Sequence, residues 1–152
     1  SSDVCSSDLF LGILKGVVMF FSDMIRATPI QCQIDFMAVS SYGGGTSTSG
    51  KVKMLKDVSV DLRGRHVVIL EDILDSGVTL SHVCAHLREM GPASLKICTL
   101  LDKPSRRQTD VKADYVGFTI PNEFVVGYGL DYDEHYRNLP YVGILKPEVY
   151  TK

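Results

Sequence analysis

The densest group of reactive side chains lies in VVILEDILDSGVTL, residues 67–80, where an apolar run ends in two adjacent carboxylates and Asp-Ser-Gly-x-Thr follows. Each part has a physical use. In the turn over 75–79, main-chain N–H groups opening a helix lack intrahelical partners, and Gly77 permits a tight backbone. Ser76 and Thr79 add hydroxyl donors beside Val78, so Asp75 to Thr79 can cradle one phosphate at a positive helix end. Glu71 and Asp72 stand where a buried strand ends, and adjacent carboxylates there suit ribose hydroxyls or a hydrated Mg²⁺. Taken alone, Asp-Ser-Gly is equally an ordinary helix N-cap. The acidic pair tips the balance, because charges at the end of a buried strand are costly without partners or work. GxxxxGKS and GxGxxG are both absent, so neither a P-loop nor a dinucleotide fold is indicated.

The elements that must position these groups follow from periodicity. Residues 10–14 form an apolar run ending at Lys15 and Gly16, after which Val18, Phe21, Met24 and Ile25 recur at helical spacing. Thr28 and Pro29 end that helix, and from Ile30 the alternation Ile30, Cys32, Ile34, Phe36, Ala38 predicts a strand with one apolar face. Residues 40–50, SSYGGGTSTSG, read as a long mobile loop, and 57–61 as an outlying strand. A β-branched strand over 67–70 leads into a helix whose face carries Leu80, Val83, Cys84 and Leu87, stopped by Gly91 and Pro92. Residues 95–101 predict another buried strand, and 115–120, 125–126 and 141–145 predict short ones. Strand and helix alternating in this way predict an α/β fold with right-handed crossovers and ligands at the carboxyl ends of the strands.

Composition excludes several classes. A length of 152 residues suits one domain with a single core, and 16 basic against 18 acidic residues leave no field of one sign for nucleic acid or an anionic membrane. The longest apolar run, 10–25, contains Lys15 and Asp23 and falls short of the roughly 20 residues that span a bilayer. Cys5, Cys32, Cys84 and Cys98 show no CxxC spacing, which fits a reducing, cytoplasmic setting. His82 and His86 are four apart but lack further ligands at zinc spacing, so they read as surface histidines. Residues 1–8 repeat SSD and follow neither structural period; they are expected to be non-native or disordered, leaving 9–152 as the domain.

The string over 67–80 resembles the phosphoribosyl pyrophosphate (PRPP) motif of type I phosphoribosyltransferases, with Ser76 standing where threonine is more common. Further segments are similar to the hypoxanthine-guanine branch: Leu14, Lys15 and Gly16; Ser41 and Tyr42; Leu101 to Pro104; Phe124 to Tyr132; and Arg137. Agreement of these separated motifs over residues 9–150 is far more specific than any one of them.

The resemblance implies a mainly parallel twisted sheet flanked by helices, with a small hood over the base. It implies an enzyme of purine salvage that moves ribose 5-phosphate from PRPP to N9 of hypoxanthine or guanine, giving IMP or GMP and pyrophosphate, with Mg²⁺. Carried over residue by residue, Glu71 and Asp72 hold the ribose hydroxyls and metal, and Ser76, Gly77, Val78 and Thr79 hold the 5-phosphate. Lys15 and Gly16 form a strained loop that presents backbone donors to pyrophosphate, which Arg137 also contacts. Asp75 takes the purine N7 proton, Lys103 donates to the 6-oxygen, Phe124 stacks on the base and the backbone of Val125 reads its edge. Asp131 reaches the metal, and Ser41 with Tyr42 opens a lid. A homodimer or homotetramer is implied, with neither nucleic acid nor membrane as partner.

Blander readings stand beside these. Arg106 and Arg107 read as solvated charges, Phe124 as a possible core aromatic, and Tyr128, Tyr132 and Tyr136 as a possible helical stripe. A xanthine-preferring transferase keeps the same Lys103 contact. A non-catalytic PRPP sensor is disfavoured by the absence of a basic patch or helix-turn-helix segment.

Overall fold

The computed structural model describes residues 8–41 and 52–151. Six strands build the main sheet: β1 (Asp8–Leu14), β2 (Gln33–Ser41), β3 (Val52–Lys56), β4 (His66–Leu74), β5 (Ser94–Asp102) and β6 (Tyr115–Thr119). Their spatial order is β3-β2-β1-β4-β5-β6, and every pairing is parallel except that of β2 with β3. Because β1 lies between β2 and β4, the strand order reverses there, which opens a crevice at the carboxyl ends of β1 and β4.

Two helices cover opposite faces, and the side-chain alternation of β1 shows why. Leu9, Leu11 and Ile13 join Leu80, Val83 and Leu87 of α2 (Val78–Arg88) in the larger core, with Val67, Ile69 and Ile97 from neighbouring strands. Phe10, on the other face, belongs to the smaller core around Phe20 and Phe21 of α1 (Val18–Ala27). Both faces of the central strands are therefore buried, as their continuous apolar runs require. None of the helices among the described residues is long and apolar enough to cross a membrane.

Several local expectations need correction. The outlying strand lies at Val52–Lys56 and not at 57–61, because pairing with β2 selects its register while Asp57 turns away to contact His86 of α2. Strand β2 starts at Gln33, and Ile30 and Ile34 are exposed while Met37 is fully buried. The core takes the opposite face of this strand, since Met37 and Val39 meet α2's core and only Phe36 reaches Phe21. In α1 the buried stripe runs through Phe20 and Phe21, leaving Val18 exposed. Strand β4 continues past Leu70 to Leu74, so the acidic pair lies within its last residues.

A second small unit follows the sheet. Strands β7 (Val125–Val126) and β8 (Gly143–Ile144) pair antiparallel and precede a one-turn helix, α3 (Pro147–Tyr150). Between these strands the chain makes successive turns, with bridges Gly127 to Leu130 and Tyr132 to His135. Tyr128 and Tyr136 have φ of 52° and 77°, so a helical tyrosine stripe is ruled out. Residues 1–7 and 42–51 lie outside the described residues, and with them most of the expected terminal segment and of the expected loop; Asp8 is already part of β1.

Candidate active site

The crevice at the strand ends holds a cavity of about 240 Å³ lined by Gly16, Glu71, Asp72, Asp75, Ser76, Gly77 and Thr79 among others. These residues come from the β1–α1 turn, the end of β4 and the start of α2. The fold thus unites two of the sequence segments around one space.

At the turn over 75–79, α2 begins at Val78, and its cap Gly77 has φ of 81°, a left-handed conformation that glycine adopts without strain. Ser76 Oγ accepts from the Val78 N–H at 3.3 Å. The following first-turn N–H groups have no intrahelical acceptor and face the crevice end, the arrangement that binds an anion. At the end of β4, burial pushes Glu71 well above the ordinary carboxylate range, with the neighbouring Asp72 charge adding to it. Burial likewise raises Asp72 to about 6, against the lowering effect of the Ile73 N–H that its Oδ1 accepts at 2.7 Å. Two half-buried carboxylates held in this state favour a cationic or hydroxyl-bearing ligand over an empty cleft.

Gly16 abuts this pair. A Cβ on Gly16 would lie 1.8 Å from Asp72 Oδ2, so only glycine lets the loop approach the carboxylate. The peptide between Leu14 and Lys15 is cis. The Lys15 side chain points away from the cavity to Glu134 Oε2 at 3.1 Å, with both groups largely exposed.

The hood closes on the same loop. Gly129 has φ of 102°, and its Cβ would meet Gly16 O at 2.1 Å, a backbone-to-backbone approach that excludes any side chain. Arg137 donates to Gly129 O at 2.7 Å, pairs with Glu134 at 3.0 Å and lies 3.3 Å from Asp131. Hydrogen bonds from Arg137 and Lys15 hold Glu134 below the ordinary carboxylate range. The charges of Arg137 and Asp131 both act on Asp72, which sets the hood's ion pairs beside the acidic pair. Glu71, Asp72 and Asp131 nevertheless do not form a protein-only metal cage among the described residues.

The segment after β5 lies against the end of β4. Lys103 is 7% exposed, and its N–H donates to Leu74 O at 3.0 Å, fixing it beside the end of β4. No side-chain partner for its ammonium occurs among the described residues, so the group is available to a ligand oxygen. Phe124 is exposed and stacks on Tyr150 of α3, with ring centroids 5.0 Å apart and planes at 24°; Tyr132 meets it edge-on at 5.7 Å. Val125 is held by its pairing with Ile144, and Leu145 N–H donates to Phe124 O at 2.8 Å. Ser41 ends β2 and is exposed, while Tyr42 lies outside the described residues.

The reading of Arg106 and Arg107 as solvated charges is overturned. Arg106 Nε lies 3.1 Å from Asp75 Oδ1. Arg107 is largely buried, donating to Asp75 O at 3.1 Å and to Val111 O at 2.9 Å, and pairing with Asp102. Their partners are distant in sequence or presented by a turn, so no periodicity reveals them; two adjacent arginines just after Lys103 and Pro104 were the only signal. Glu134 and Tyr150 were missed for the same reason.

A family model described as a phosphoribosyl transferase domain matches residues 4–133. Hypoxanthine-guanine phosphoribosyltransferase of Bacillus subtilis is 54% identical over 142 residues, which cover 93% of this chain and 79% of that protein. The bifunctional protein TilS/HprT of Listeria monocytogenes is 53% identical over 144 residues, 95% of this chain, but the chain spans only 22% of that relative's length. Among solved structures, a hypoxanthine phosphoribosyltransferase from Staphylococcus aureus superposes with a TM-score of 0.93 at 52% identity, covering 99% of this chain and 82% of the other. Site geometry, family match and fold agree: the chain belongs to the phosphoribosyl transferase family, in its hypoxanthine-guanine branch.

Proposed function

We propose that this chain catalyses transfer of ribose 5-phosphate from PRPP to N9 of hypoxanthine or guanine, releasing pyrophosphate and forming IMP or GMP. The observation that carries the reading is the convergence of Gly16, Glu71, Asp72, Asp75 and the phosphate turn on one cavity, with Lys103 tied by its backbone to the end of the same strand. Kinship supports work in the cytoplasm as a homodimer or homotetramer, with PRPP and the purine as its partners.

Each residue has a task in this scheme. The turn over 76–79 holds the 5-phosphate through main-chain N–H groups and the hydroxyls of Ser76 and Thr79. Glu71 and Asp72 accept from the ribose hydroxyls, and the loop at Lys15 and Gly16 presents backbone N–H groups to the pyrophosphate, with Arg137 near its far end. Lys103 donates to the 6-oxygen, and Phe124, backed by Tyr150, offers its ring to the purine while the backbone of Val125 faces the base edge. Bond formation from N9 to the anomeric carbon and departure of pyrophosphate leave a proton at N7, which Asp75 accepts. The lid beginning at Ser41 and Tyr42 excludes water from the cationic sugar.

Mg²⁺ fits the donor set: Glu71 and Asp72 are hard oxygen ligands whose burial disfavours charge without a cation, and Asp131 stands electrostatically close. Two or three carboxylates without a closed cage suit an ion held chiefly by substrate phosphate and water. When bound, it supplies positive charge to the leaving pyrophosphate.

Turnover of PRPP with hypoxanthine and with guanine, measured in the presence of Mg²⁺, tests the proposal. Asp75→Ala should lower kcat about 100-fold or more with little change in PRPP affinity. A folded protein that binds PRPP yet forms no nucleotide with either base would refute it.

A further inference from the structure

We propose that Arg106 is a positioning residue for Asp75, holding one carboxylate oxygen so that the other is aimed at the purine proton. The inference rests on the transferase reading above and adds to it a residue outside the recognised motifs.

The geometry begins with the turn after β5. Pro104 starts a single 3-10 turn, Pro104–Arg106, immediately after Lys103, and the Arg106 N–H closes it on Lys103 O at 3.1 Å. This short turn carries the chain from the buried Lys103 to the rim of the phosphate turn, where Arg106 Nε lies 3.1 Å from Asp75 Oδ1. The next residue grips the same target from behind: Arg107 Nε donates to the Asp75 main-chain carbonyl at 3.1 Å. Gln108 N–H then donates to Ser76 O at 2.8 Å. Residue 75 is thus held at its backbone by one arginine and at its carboxylate by the adjacent one.

Arg107 looks structural, since its guanidinium is largely buried and also engages Asp102 and Val111 O. Arg106 differs. Among the described residues its side chain pairs with the carboxylate alone, and both side chains are about two-fifths exposed, at 39% and 42%. An ion pair this open contributes little to stability. Asp75 Oδ1 itself is inaccessible to solvent and receives no well-aligned hydrogen bond among the described residues, so Arg106 is the one cation beside it there. Without that contact the carboxylate would be free to rotate about its terminal torsion, which is broad for aspartate. Orientation of a proton acceptor governs its contribution to the transition state far more than to the folded ground state.

The test compares wild type, Arg106→Ala, Arg106→Lys, Asp75→Asn and the double variant Asp75→Asn with Arg106→Ala, all in the full chain with Mg²⁺, PRPP and hypoxanthine. Arg106→Ala should lower kcat about 10-fold, with KM for PRPP within about twofold and melting temperature within about 2 °C. Arg106→Lys should recover part of the loss. In the Asp75→Asn background, removal of Arg106 should cost nothing further.

Wild-type turnover in Arg106→Ala, or an equal loss in both backgrounds, would overturn the inference while leaving the transferase reading intact. If Asp75→Asn itself turns over like wild type, the proton-accepting role of Asp75 fails, and this inference fails with it.

Discussion

Replacing Asp72 by asparagine should stabilise the ligand-free protein at neutral pH while crippling its binding of PRPP. Burial raises this carboxyl from its ordinary 3.8 to about 6. In the unfolded chain it titrates near the ordinary value, so between about pH 4 and 6 the folded state binds more protons than the unfolded one. Stability from this group is therefore greatest below pH 4 and is lost as pH rises through 6. At about 1.36 kcal/mol per pH unit the full cost of ionisation approaches 3 kcal/mol, and partial exposure of the side chain reduces it to about 1–3 kcal/mol. Asparagine keeps the acceptor for the Ile73 N–H and removes the charge that also raises Glu71.

For a chain of this size the gain is worth about 3–10 °C in melting temperature. The assay is thermal unfolding of wild type and Asp72→Asn between pH 5 and 8, with and without Mg²⁺ and PRPP. Without ligand the advantage of the variant should grow as pH rises and level off above about 7. With ligand the wild type should gain stability and the variant should gain little. A difference that stays constant across pH, or a variant less stable than wild type at pH 8, would refute the argument that the site holds an electrostatically costly charge for its ligand.

Two further outcomes follow from the same geometry. Gly129→Ala forces a side chain into a left-handed backbone and onto Gly16 O, so denaturant unfolding should show a loss of about 2–4 kcal/mol, accompanied by a raised KM for PRPP as hood and loop separate. Lys103→Met removes the ammonium of a buried residue, a group with no side-chain partner among the described residues, so stability should hold or rise by about 1 kcal/mol. In the same variant turnover of hypoxanthine and guanine should fall about 10- to 100-fold, the value of a hydrogen bond to a charged donor; undiminished turnover would remove Lys103 from the base site.

Much of this was written in contiguous stretches of chain. The run from Val67 to Leu80 places strand, acidic pair, turn and helix in one segment, and local hydrogen bonding with side-chain periodicity suffices to read each of them. The two glycines Gly16 and Gly77 likewise mark a close approach and a left-handed cap that no other residue supplies as well. What remained hidden depends on contacts between distant segments. The face of β2 that turns inward was decided by competition between two cores, and Met37 prevailed over the more regular alternation of Ile30 and Ile34. The partnership of Arg106 with Asp75, the pairing of Lys15 with Glu134, and the stacking of Tyr150 on Phe124 join residues that share no period and lie between 26 and 119 positions apart. Sequence alone determined the chemistry on offer, because reactive groups and turn-forming residues are read locally. Only the tertiary structure decided which of those groups meet, because an ion pair or a stacked ring is selected by the packing of the whole sheet and leaves no trace in the spacing of the chain.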